Sequence, residues 1–177
     1  FLKKCAQAGF QSCPISVNVS RVHLLDNECI GVLDRLIEKY AIPKGMLELE
    51  ITESADTQQI SMKVLQLKEE GFTLLMDDFG SGYSSLNILL ETPFDVIKLD
   101  KKFMENMMVS GKGRLILEQV AGMVNKLDLG LLAEGVETKE QIELLKSIGC
   151  DQVQGYFYAK PMPQEEFFEL LKKQNIG

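Results

Sequence analysis

Short apolar runs alternate with longer stretches of helical periodicity along the whole chain, and each apolar run ends in polar residues. Ile15–Val19, Leu47–Thr52, Phe72–Met76, Val96–Leu99, Leu129–Ala133 and Gln152–Gln154 read as strands. Between and after them, apolar residues recur at helical spacing. The stretches are Asn27–Tyr40 with Ile30, Leu33, Leu36 and Ile37, Asp56–Glu70 with Ile60, Val64 and Leu67, and Arg114–Lys126 with Ile116, Val120 and Val124. Leu86–Leu90, Lys139–Ile148 and Glu165–Lys173 complete the set, and Pro43, Gly45 and Gly71 punctuate it. Connections of this length carry a strand across to a parallel neighbour, so the pattern is a βα unit repeated six times in an α/β fold. A doubly wound sheet gathers its polar residues at one phosphate-binding turn. Here they close every strand, which predicts a TIM-type (β/α) barrel with one active rim.

Such barrels use eight strands and about 200 to 250 residues. Six strands in 177 residues predict an N-terminally incomplete barrel, a single domain spanning 1–177. Phe1 begins inside an amphipathic stripe of Leu2, Cys5, Ala6 and Phe10 with no preceding cap, which gives the same expectation.

The last residues of successive strands are Asn18, Glu50 and Glu53, Asp77 and Asp78, Lys98 and Asp100, Glu134 and Glu137, and Gln154. In Leu47-Glu48-Leu49-Glu50-Ile51-Thr52 the aliphatic residues share one face and the glutamates the other. In a barrel the aliphatic face meets the helices, so Glu50 points into the mouth. A carboxylate buried there requires a metal or a cation as partner. Carboxylates with an amide are the oxygen donors that Mg²⁺ and Mn²⁺ take, and Asn18, Glu50, Asp77, Asp78 and Glu134 have that chemistry. Adjacent Asp77 and Asp78 can serve two ions, and two such ions can clamp a phosphodiester and generate an attacking hydroxide. Taken singly, an Asp-Asp pair is a cap or a turn and Glu50 a surface residue; their joint occurrence on one rim favours the metal reading. Lys98, in an otherwise apolar strand, is either a structural ion pair or a group that orients or deprotonates water or steadies phosphate charge. Asp100 reads as structural. The turn from Phe79 to Ser85 has two glycines and suits a gating loop.

A net charge of −7 and a pI near 4.9 exclude a broad basic face for a DNA or RNA polymer. With His23 the only histidine, histidine-rich metal sites and Ser-His-Asp catalysis are also excluded. Cys5, Cys13, Cys29 and Cys150 form no C-x-x-C pair and read as reduced core thiols, which predicts a cytoplasmic setting. No apolar run approaches membrane-spanning length, so no membrane contact is expected from this segment, although a parent protein could be tethered. Lys101-Lys102 and Lys172-Lys173 read as solvated charge.

Six stretches together resemble the EAL domains that hydrolyse the bacterial second messenger cyclic di-GMP. They are Val17-Asn18-Val19-Ser20, Glu50-Ile51-Thr52-Glu53, Asp77 through Ser85, Ile97-Lys98-Leu99-Asp100, Ala133-Glu134-Gly135-Val136-Glu137 and Gln154-Gly155-Tyr156-Phe157, in the family's order. The resemblance implies a metal-dependent phosphodiesterase that opens cyclic di-GMP to linear pGpG. It implies Asn18, Glu50, Asp77, Asp78 and Glu134 as metal ligands, Lys98 beside the attacking water, Gln154 as a water-positioning group and Glu53 as the anchor of the loop after Asp78. Glu137 is structural or ancillary. Ser81 stands where the family has threonine and keeps the hydroxyl. The strand bearing the Glu-Ala-Leu signature, with a metal-binding glutamate and a substrate-contacting arginine, is not in this sequence. The resemblance also implies a homodimer, with the segment after Asp78 at the interface. A noncatalytic cyclic di-GMP receptor or protein-interaction module is the alternative, and an enolate-forming barrel enzyme is a remote third.

Overall fold

The computed structural model describes residues 1–9, 12–52, 58–80 and 85–174. Six strands, β1 (Ile15–Asn18), β2 (Leu47–Thr52), β3 (Thr73–Phe79), β4 (Val96–Leu99), β5 (Gly130–Ala133) and β6 (Gln152–Val153), form one sheet. Every neighbouring pair is parallel, and the spatial order follows the chain order without reversal. A doubly wound sheet reverses its order at a switch point, whereas sequential order is what a barrel requires. The sheet curls into a half-barrel with helices outside it, an incomplete TIM-type barrel.

The helices are α1 (Leu2–Gln7), α2 (Arg21–Leu25), α3 (Asn27–Tyr40), α4 (Gln58–Glu69), α5 (Ser85–Glu91), α6 (Lys101–Met108), α7 (Gly111–Lys126), α8 (Lys139–Ser147) and α9 (Gln164–Gln174). Two of them depart from the periodicity reading. α2 is a five-residue turn capped by Ser20, whose hydroxyl accepts from the His23 amide, and it is too short to show a period. α6 follows Asp100, whose carboxylate accepts from the Phe103 amide. Its buried residue is Met104, and Phe103, Met107 and Met108 pack on the core, a stripe that the leading Lys101-Lys102 pair disguises. The predicted start of α4 at Asp56 lies outside the described residues, as does Phe10.

The alternation in the strands decides where the core sits. Leu49 and Ile51, Leu74 and Met76, Ile97 and Leu99, and Leu131 and Ala133 face outward and pack with Ile60, Val64 and Leu67 of α4 and Ile142 and Leu145 of α8. On α7 the buried stripe is Gly113, Leu117, Ala121 and Val124, while Ile116 is exposed. That corrects the expected face by one residue, since small Gly113 and Ala121 are what let α7 lie close to its neighbours. Leu36 of α3 is likewise exposed. Truncating a fully buried residue such as Leu49 or Leu117 to alanine costs about 2–5 kcal/mol.

The other face of the sheet is the barrel interior. Register places Glu48 and Glu50 beside Thr73 and Leu75, and Lys98 beside Leu132. Among the described residues β1 and β6 pair on one side only. The two ends of the chain's helical layer touch: the Phe1 ring stacks on Phe167 of α9 at 5.5 Å, and Lys4 Nζ lies 4.3 Å from the Phe168 ring centre.

Candidate active site

β2 delivers Glu50 to the interior through strict alternation, and it is buried. β4 delivers Lys98 in the same way. Its Nζ lies 2.8 Å from Glu50 Oε2, 2.8 Å from Asp77 Oδ1 and 2.7 Å from Glu134 Oε1. Four strands therefore converge on one ammonium, which is 3% exposed. Burial by itself would lower the Lys98 pKa, but the hydrogen bonds to Asp77, Glu134 and Glu50 outweigh it and hold the group above the ordinary lysine value. In this arrangement the three carboxylates favour the charged form of Lys98, which suits it to charge stabilisation and to orienting a neighbouring group.

Asp77 and Asp78 owe their placement to an irregularity that simple alternation does not foresee. Leu75 pairs with Val96 and Met76 with Ile97, but the next pair is Phe79 with Leu99. Two aspartates thus stand opposite the single residue Lys98, a bulge. Asp78 takes φ of 60°, and its amide donates to Asp77 Oδ1 at 3.0 Å. The extra residue resets the alternation. Asp77 faces the interior and Lys98, while Phe79 returns to the outer core. Asp78 sits half-buried at the end of the strand.

Asn18 pairs in register with Glu50 and is exposed at the rim. Glu134 follows β5 directly, and its amide donates to Leu99 O. Gln154 follows β6, also exposed; its amide donates to Ala133 O and its carbonyl accepts from Val136. The structure therefore brings Glu50, Asp77, Lys98 and Glu134 into direct contact and sets Asn18, Asp78 and Gln154 around them. Glu53 and the turn from Ser81 to Ser84 lie outside the described residues. Asp100 is a helix cap, as expected, and Glu137 pairs with Lys101 at 2.6 Å. His23 is exposed. Cys5 and Cys150 are buried free thiols, while Cys13 is exposed, contrary to its reading as a core residue. A hydrogen-bonding lysine opposite two adjacent aspartates carries a sequence signal for the bulge only in retrospect.

The donor set fits a divalent cation. Every candidate atom is oxygen, three carboxylates against one ammonium leave two net negative charges, and each carboxylate keeps a second oxygen. Among the described residues the acidic groups do not form a closed cage, because the ammonium stands between them. Two residues toward the start of β2, Glu48 has its pKa raised by burial and then by the charges of Glu50 and Asp95. Further negative charge on this face is electrostatically unfavourable, and further positive charge is welcome.

Comparison with known proteins identifies the family and the fold. The EAL domain matches residues 1–161. The cyclic di-GMP phosphodiesterase RocR of Pseudomonas aeruginosa is 34% identical over 171 residues, 94% of this chain and 43% of RocR. The crystal structure of the EAL domain of Mycobacterium smegmatis DcpA superposes with a TM-score of 0.90 at 29% identity, covering 99% of this chain and 81% of that one. A manganese and cyclic di-GMP complex of Klebsiella pneumoniae BlrP1 gives 0.80 at 26% identity over 90% of this chain and 42% of that one. The chain spans between 19% and 43% of the length of the curated relatives it matches most strongly.

Proposed function

The chain belongs to the EAL domain family, and from that membership we propose that it carries out metal-dependent hydrolysis of cyclic di-GMP to linear pGpG. The observation that carries the reading is the convergence of Glu50, Asp77 and Glu134 on one point, with Lys98 between them. Relatives are cyclic di-GMP phosphodiesterases, and one solved relative holds manganese with the dinucleotide.

Glu50, Asp77 and Glu134, with Asn18 and Asp78 beside them, are the residues that would hold Mg²⁺ or Mn²⁺, in a site suited to two ions. When bound, such ions polarise the phosphate and acidify a water molecule. The chain's own residues do the rest. Lys98 keeps three mutually repelling carboxylates at one point and presents its positive charge to a phosphate. Gln154, an amide on the rim, orients water by donating and accepting. Water adds to one phosphorus, the bond to the 3′ oxygen breaks, and the 5′ phosphate stays with the product, which is pGpG.

The one-sided β1 and β6 support the further proposal that strand structure outside this sequence completes the barrel and adds a metal ligand. We place the protein in the cytoplasm and as a homodimer; sedimentation as a monomer at micromolar concentration would contradict the latter. The test is hydrolysis by this chain beside one extended upstream, each with Mg²⁺, with Mn²⁺ and with chelator. Formation of pGpG by the extended chain, abolished by chelator, is the expected result. Binding of cyclic di-GMP with no turnover in any arm would instead identify a receptor.

A further inference from the structure

Two lysines three residues apart reach from β4 and the start of α6 to two glutamates three residues apart beyond β5. Lys98 meets Glu134 at 2.7 Å in the interior, and Lys101 meets Glu137 at 2.6 Å on the surface. The segment between the two glutamates is shaped to let the outer lysine cross it. Gly135 has φ of 67°, and a Cβ there would overlap Cβ, Cγ and Cδ of Lys101, so the lysine stem lies flat against bare backbone. The same segment is held from its other side, where the Val136 amide donates to Gln154 O at 3.1 Å and its carbonyl accepts from Phe157 at 3.0 Å. A Cβ on Gly155 would overlap the Val136 backbone.

We propose that Lys101 and Glu137 are positioning residues: their ion pair clamps the segment 134–137 between α6 and the turn after β6, fixing Glu134 and Gln154 relative to Lys98. An exposed ion pair contributes little to global stability, and both side chains here are 45% exposed. Its place is what gives it a role. Asp100 caps the helix that starts at Lys101, and Lys98 lies on the strand just before it, so the distance from Lys98 to Lys101 is set by rigid backbone. The distance from Glu134 to Glu137 then has to match it. Releasing the outer pair frees Glu134 to rotate on its loop while the helices stay packed. Groups that hydrogen-bond directly to a ligand affect metal affinity by about 10- to 100-fold, and this pair, acting on Glu134 through three residues of backbone, is expected at the lower end of that range.

The inference rests on the proposed metal-dependent function, and its test separates the two. Mn²⁺ affinity by calorimetry, kcat and KM for cyclic di-GMP, and amide hydrogen exchange at Val136 are measured for the full chain, for Lys101→Ala, for Lys101→Arg and for the exchanged pair Lys101→Glu with Glu137→Lys. Lys101→Ala is expected to weaken Mn²⁺ binding and lower kcat, each by about 10-fold, with faster exchange at Val136. Its melting temperature is expected to fall by no more than about 1–2 °C. Lys101→Arg restores both parameters, and the exchanged pair recovers them in part, because it also loses the 3.7 Å contact of Lys101 with Glu105. Unchanged Mn²⁺ affinity and unchanged exchange in Lys101→Ala overturn the clamp, as does a loss that neither compensating variant recovers. Faster exchange in a protein whose unaltered form neither binds Mn²⁺ nor turns over substrate supports the clamp and overturns the function.

Discussion

Lys98 is the residue on which the site turns. Buried among Glu50, Asp77 and Glu134, it stabilises them only while charged, and removing one partner from such a cluster leaves the others uncompensated. Lys98→Met is therefore expected to lose about 3 kcal/mol in chelator, read from the urea midpoint. Added Mn²⁺ should stabilise it, because a divalent cation meets the same oxygens. An unchanged midpoint in chelator would show that the cluster is not under electrostatic strain. The pKa of Lys98 is raised on folding, so its contribution is complete below its ordinary value of 10.5 and is lost only as pH rises through the higher folded value. Its presence in an apolar strand was plain from Val96-Ile97-Lys98-Leu99, but its three partners were not, since they come from three other strands. Lys101 was less legible still: beside Lys102 it has the pattern of solvated charge, and only the fold brings Glu137 to it.

At the level of elements, strict alternation in β2 sends Glu48 and Glu50 inward and Leu49 and Ile51 outward, as the sequence pattern implies. β3 breaks that rule. Alternation alone would send Asp77 and Asp78 to opposite faces and Phe79 into the mouth. The bulge, with Asp78 in the left-handed region, places Phe79 in the core instead. The expected strand accordingly stopped at Met76, whereas the observed one continues to Phe79. Asparagine adopts that backbone conformation at lower cost than alanine, which among the described residues takes it only at the end of α3 (Ala41, φ 51°), so Asp78→Ala is expected to be about 1 kcal/mol less stable than Asp78→Asn. Equal stabilities in a denaturant titration would mean that the bulge relaxes without penalty. Helix α7 shows the complementary limit. Its period is clear, but which residues face the core depends on Gly113 and Ala121, whose small size carries no hydrophobic signal.

Across the whole molecule, the sequential parallel order and the polar residues at the strand ends are two consequences of one architecture, and both were readable from the alternation of apolar runs. The open edges were readable too, from six strands where a barrel uses eight, and among the described residues β1 and β6 have one neighbour each. The aromatic stack of Phe1, which caps the first helix, on Phe167 of the last helix was not, since no local periodicity announces it. The architecture serves the site by carrying carboxylates, amides and one lysine from successive strands to a common rim, and we propose that this rim holds a divalent cation. Anomalous diffraction from crystals soaked in Mn²⁺ tests it most directly. A peak is expected within about 2.0–2.3 Å of carboxylate oxygens from Glu50, Asp77 and Glu134, with Lys98 displaced from at least one of them. Crystals that show no peak at saturating Mn²⁺, with the ammonium still bridging all three carboxylates, would contradict it.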